Sequence, residues 1–64
     1  MKRCYRVEYD SDDRVTTQSI LVIERSFKGA SERGLKMALL REKKSSGADT
    51  RVRIVGIEEI GSVW

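Results

Sequence analysis

Histidine is missing from this 64-residue chain, cysteine occurs once, aromatic residues make up 6%, and no apolar run is longer than Ile20–Ile23. Without histidine there is no ordinary general base near neutral pH and no nucleophile-base pair of the Ser-His or Cys-His type. The lone Cys4 excludes an internal disulfide. With no histidine beside it, no soft-ligand zinc or iron site is expected. A reducing, cytoplasmic setting fits such cysteine usage. No charged-then-apolar leader and no apolar stretch near eighteen residues is present, so neither secretion nor membrane spanning is indicated. Phosphate cradles of the GxxxxGK[ST] or GxGxxG type are also missing, since Gly29, Gly34 and Gly47 do not have the required spacing. These absences point away from catalysis, and no cofactor or metal is expected.

What remains is enough for one small domain spanning residues 1–64. A chain of this size buries only about 60% of its unfolded surface, so self-association, as a dimer, would help it. The formal charge is +3, from 13 basic and 10 acidic residues. The acids gather at Asp10, Asp12 and Asp13 and at Glu58 and Glu59, while the bases gather between residues 30 and 44 and at Arg51 and Arg53. A solvated face explains most such charge in a small domain.

The stretch from Ala30 to Lys44 is the one with helical periodicity. At 100° per residue, Met37, Ala30, Gly34, Ala38, Leu35 and Leu39 share an arc of roughly 200°, opposite Glu32, Arg33, Lys36, Lys43 and Lys44. The middle of the apolar arc is small (Ala30, Gly34, Ala38) and its flanks are larger, a shape that lies close on a sheet. Glycine inside a helix costs about 1 kcal/mol against alanine, and close approach at Gly34 compensates for it. Ser26 and Ser31 are both candidate N-caps. Arg41, Lys43 and Lys44 suit the C-terminal end of the helix dipole, and Ser45-Ser46-Gly47 supplies a stop with Gly47 left-handed.

The flanking segments read as strands. From Lys2 to Tyr9, Tyr5, Val7 and Tyr9 alternate with Cys4, Arg6 and Glu8, the pattern of a half-buried strand. Asp10-Ser11-Asp12-Asp13 forms a turn, and Arg14 to Arg25, rich in β-branched residues, is a second strand completing a hairpin. Its phase is ambiguous, because Leu21 and Ile23 lie on one face and Ile20 and Val22 on the other. Either a bulge shifts the strand or the sheet is covered on both sides, most simply by another copy of the protein. Thr50 to Ile57 alternates again, with a bulge marked at Gly56, and the segment from Ile57 to Gly61 either continues the strand or turns away. Ser62-Val63-Trp64 is a short apolar terminus. A right-handed crossover through the helix gives the sheet order 2-1-3.

The expected fold is therefore a single α+β domain of ββαβ order, one amphipathic helix packed on a three-stranded, mainly antiparallel sheet. Its expected core is Tyr5, Val7, Leu21, Ile23, Leu35, Ala38, Leu39, Val52 and Ile54. The expected opposite face carries Cys4, Arg6, Glu8, Gln18, Ile20, Val22, Arg51, Arg53 and Val55. Cys4 reads as a small hydrophobe. The Asp cluster reads as turn chemistry, because it lacks the glycine and bidentate glutamate of a calcium loop.

Two binding functions fit this surface. In the first, Arg6, Ile20, Val22, Arg51 and Arg53 form a mixed apolar and arginine-bearing protein interface. In the second, Arg6, Lys36, Lys43, Lys44, Arg51 and Arg53 contact nucleic-acid phosphates. The aromatics count against the second, since Tyr5 and Tyr9 share the core face of Val7 and leave no ring outside for base stacking.

Tyr5-Arg6-Val7-Glu8-Tyr9, the polar hairpin, Val22-Ile23-Glu24-Arg25-Ser26, the amphipathic helix and Val55-Gly56-Ile57-Glu58-Glu59-Ile60-Gly61 together resemble small accessory proteins encoded by bacteriophages and prophages. The resemblance covers nearly the whole chain, with Gly29 and Gly34 departing from the glutamate- or alanine-rich helix starts usual there. It implies a non-enzymatic protein that binds and modulates or inhibits a bacterial host complex, working in the host cytoplasm. It carries over no binding residue.

Overall fold

In a computed structural model, which describes residues 1–46 and 50–62, the elements are β1 (Arg3–Ser11), β2 (Gln18–Glu24), α1 (Phe27–Ser46) and β3 (Val52–Ser62). The expected left-handed Gly47 and the terminal residue Trp64 lie outside the described residues. The sheet order is β2-β1-β3, as expected. Both outer strands run antiparallel to β1, so β3 runs parallel to β2. The helix lies across one face.

Alternation in β1 sets the core. Tyr5, Val7 and Tyr9 are buried against the helix, with Val22 and Ala30 joining Tyr5 and Val7, and Ile20, Ile54 and Ile57 packed around them. The register places Tyr5 opposite Val22 and Val7 opposite Ile20, without a shift along β2. Residues directly opposite on antiparallel strands share a face, so this pairing resolves the phase of β2 in the sense opposite to that expected. Val22 is 2% exposed, whereas Leu21 and Ile23 stand on the outer face at 59% and 46%. The strand is not bulged. It begins at Gln18 rather than Arg14, because Arg14 is drawn back to the helix.

The bulges are in β3. Val55 is an extra residue between the pairs Glu8–Gly56 and Tyr9–Ile54, and Ile60 is another between Cys4–Gly61 and Tyr5–Glu59. The first lies beside Gly56, where the sequence marked it, and the strand continues through Ser62 rather than ending at Ile57.

Ser26 caps the helix. The Gly29 N–H donates to Ser26 Oγ at 3.1 Å and the Ala30 N–H to the Ser26 carbonyl at 2.9 Å, so the helix starts three residues before the expected Ala30. Phe27, in the first turn, meets the Tyr5 ring edge-on at 5.0 Å between centroids. Ser26→Ala should cost about 1 kcal/mol, read as a drop in the urea midpoint with an unchanged slope.

The buried helical stripe is Ala30, Gly34, Ala38 and Glu42. A Cβ on Gly34 would lie 2.8 Å from Val7 Cγ1, so the small residues bring the helix axis close over β1, as the sequence implied. That closeness turns Leu35 and Leu39 to the flank, where they remain 39% and 43% exposed instead of entering the core.

Candidate protein interface

The outer sheet face is built by alternation. Cys4, Arg6, Glu8 and Asp10 point away from the helix on β1, with Ser19, Leu21 and Ile23 beside them on β2 and Arg53, Gly56 and Glu58 on β3. A bulge sets two residues opposite one, which adds Val55 next to Gly56 and Ile60 next to Gly61. Ile23, Cys4 and Ile60 thus form an apolar row across all three strands, with Leu21 adjoining it. Leu21, Ile23, Val55 and Ile60 are each close to half exposed. The far end of the face is polar, with Glu8, Asp10, Ser19 and Arg53.

The sequence-predicted site residues divide. Arg6 lies centrally on this face, 2.7 Å from Glu58 Oε1. Arg53 is at the polar end, its guanidinium 3.8 Å from Asp10 Oδ2. Arg51 precedes β3 and lines an open groove of about 680 Å³ with Leu35, Leu39 and Val52. Ile20 and Val22 are corrected: the pairing with Val7 and Tyr5 turns both toward the helix, and Leu21 and Ile23 take their place outside. Lys36, Lys43 and Lys44 are exposed on the helix, in the layer on the other side of the sheet from Arg6 and Arg53. The six cations of a phosphate-binding surface therefore do not share one face.

The carboxylates next to these arginines weaken it further. Besides Arg6 and Arg53, Arg3 pairs with Glu59 at 3.1 Å and Arg33 with Glu24 at 3.4 Å. Exposed pairs of this kind contribute about 0–1 kcal/mol each, but they cancel the local positive potential that phosphate recognition needs. Among the described residues the outer face carries no aromatic ring.

One charged group among the described residues is buried, and sequence reasoning missed it. Glu42 is 1% exposed. It accepts from Tyr9 Oη at 2.9 Å and from Arg14 Nε at 2.9 Å and 3.0 Å. Arg14 in turn reaches Gln18 Oε1 and Ser45 Oγ, both at 3.5 Å. The Arg14 guanidinium holds the Glu42 carboxyl below its ordinary range, against the opposing effect of burial and with help from Tyr9 and Ser11. Burial, then the bond to Glu42, pushes the Tyr9 phenol up. The sequence signal was the spacing of Ala30, Gly34, Ala38 and Glu42, which continues the small stripe by four.

The network ties the hairpin end to the last turns of the helix. Two of the aspartates nearby are tied individually. Asp10 accepts from Thr17 and Asp13 from Thr50, both at 2.7 Å, which is loop-fastening rather than the convergence of a cation site.

Comparisons with protein-family models, curated proteins and solved structures find no match. The surface must therefore be read from its own chemistry. No helix among the described residues is long and apolar enough to cross a membrane. An apolar row bordered by a fixed Arg6–Glu58 pair has the make-up of a protein-contacting patch, with an apolar centre and a polar rim.

Proposed function

We propose that the chain is a small, non-enzymatic protein-binding module that works through its outer sheet face and self-associates as a dimer. The observation that carries this reading is the row Ile23–Cys4–Ile60 with Leu21, apolar and half exposed on the side of the sheet without a helix. The resemblance to phage and prophage accessory proteins supplies the class of foreign partner, a bacterial protein complex that the module would block or modify in the host cytoplasm.

Sedimentation at about 50 and 200 mM salt, with and without mixed-sequence DNA and RNA, tests it across the range where phosphate contacts lose most affinity. The wild type is expected to associate with little change between the two salt conditions and to ignore nucleic acid. Leu21→Asp with Ile23→Asp should yield a folded monomer, because both side chains lie outside the core. A nucleic-acid complex that dissolves at the higher salt, and that Arg51→Glu with Arg53→Glu abolishes, would overturn the reading in favour of phosphate binding.

A further inference from the structure

The two sheet edges differ in a way that bears on what this module binds. β3 is interrupted by extra residues at Val55 and Ile60, and such bulges break the regular spacing a new strand would need. β2 pairs with β1 without a shift over its whole length and carries no charged residue from Gln18 to Ile23. Nothing pairs with its far side among the described residues.

The orientation of its backbone can be read from one bond. Arg41 Nη1 donates to the Ser19 carbonyl at 3.2 Å, and Arg41 comes from the helix flank rather than from β1, which places the Ser19 backbone groups on the open side. Backbone groups in an antiparallel strand alternate in direction, so the N–H and C=O of Leu21 and Ile23 face the open side as well. Their side chains stand half exposed on the outer face. The edge thus offers unpaired hydrogen-bonding groups and exposed apolar side chains together.

The helix flank above this edge is basic. Arg33 binds Glu24, and Lys36 and Glu32 share with both a groove of about 290 Å³, so the positive excess of this flank comes from Lys36, Arg41 and Lys44. Arg41, which reaches Ser19 on β2, follows about two turns after Arg33, and Lys44 about one turn after Arg41; among the described residues no carboxylate lies within ion-pair distance of Lys36, Arg41 or Lys44. Edge-to-edge pairing of two copies through β2 would turn these flanks toward each other, like charge to like charge.

We propose that the open edge of β2 takes an extended acidic segment of a partner protein as a fourth strand. This rests on the protein-binding reading and names the form of the partner. Main-chain bonds to Leu21 and Ile23 supply the affinity, and alternate side chains supply the specificity. On the outer face the added strand sets apolar groups beside Leu21 and Ile23, and on the helix side it sets Asp or Glu beneath Lys36, Arg41 and Lys44.

A display library of random twelve-residue peptides, selected on the full-length protein, tests this. The expected result is enrichment of Asp and Glu at alternate positions between apolar residues. Leu21→Pro removes one edge N–H without touching the ladder to β1, and the selected peptides should bind it at least tenfold more weakly. Lys36→Glu with Lys44→Glu, which leaves strand and core intact, should cost about tenfold through charge alone and shift a repeat selection away from acids. Ile60→Asp, on the opposite edge, should bind the peptides as wild type does while losing self-association. Selection of basic or non-alternating peptides, wild-type binding by both the proline and the glutamate variants, or no enrichment at all would overturn the proposal. If self-association through the outer face persists in that case, the broader reading stands and only the edge is lost.

Discussion

Gly34→Ala should lower stability, although alanine is worth about 1 kcal/mol more than glycine in an exposed helix. The added Cβ would sit 2.8 Å and 2.9 Å from the two Val7 methyls and 3.1 Å from Val7 Cβ. Val7 is fully buried on the central strand, so it has no direction in which to yield, and the helix must lift along Ala30, Gly34 and Ala38. Overpacking of this kind costs about 1–3 kcal/mol, which exceeds the propensity gain. Gly34→Leu should cost about 3 kcal/mol or more. A domain this small rarely has more than about 3–5 kcal/mol in hand, so this variant should be largely unfolded at 25 °C by circular dichroism. The diagnostic comparison is a double-mutant cycle in urea. Val7→Ala removes both methyls, so Val7→Ala with Gly34→Ala should be more stable than the sum of the single variants by about 1 kcal/mol. A Gly34→Ala protein stabilised by its full helical propensity would refute the close contact.

The second large effect concerns acid. Glu42 has its folded pKa depressed, chiefly by Arg14. Its contribution to stability is therefore fully present above the ordinary carboxylate value of about 4.3 and is lost as the pH falls from there through the lower folded value. Glu42→Gln keeps an acceptor for Tyr9 but removes the charge facing Arg14. The variant should be less stable at pH 7 and should show a flatter acid limb in urea midpoints between about pH 5 and pH 2. Glu42→Ala should be worse at pH 7 than loss of either outer-face pair, because it leaves a buried phenol without its acceptor and the Arg14 guanidinium without its carboxylate. Tyr9→Phe should cost about 1 kcal/mol. At the alkaline end, the raised Tyr9 pKa contributes stability below about pH 10 that is lost as the pH rises through the folded value. An unchanged acid limb in Glu42→Gln would show that other carboxylates set it.

The sequence displayed the parts of this fold whose signal is local. Tyr5, Val7 and Tyr9 alternate with polar residues, so their face is fixed by β1 alone. Gly34 between Ala30 and Ala38 announces a helix lying close on a sheet. β2 could not be read in this way. With Ile20, Leu21, Val22 and Ile23 in succession, both faces are equally apolar, and only the register of Val22 against Tyr5 decides between them. Leu35 and Leu39 were misplaced for a related reason. The periodicity locates an apolar arc but not its centre, and the centre went to the smallest residues because they admit the closest approach to Val7. Glu42 was hidden by its partners, since Tyr9 and Arg14 lie 33 and 28 residues away in the chain. The same error in the phase of β2 moved two of the five expected interface residues, Ile20 and Val22, into the interior, while Arg6 and Arg53 remained on the outer face.

The two extra residues of β3 also bear on how its length can change. β3 has eleven residues against nine in β1, and the difference is the pair Val55 and Ile60. Removing Val55 would leave Ile54 opposite Tyr9 and Gly56 opposite Glu8 in an unbroken ladder, and removing Ile60 would do the same for Glu59 and Gly61. Deletion of Ile57, between the two bulges, would instead remove a core residue and turn Gly56 inward in its place. β3 thus has two places where the chain can shorten by a residue without exchanging its faces. Natural length variation in proteins of this design should fall there.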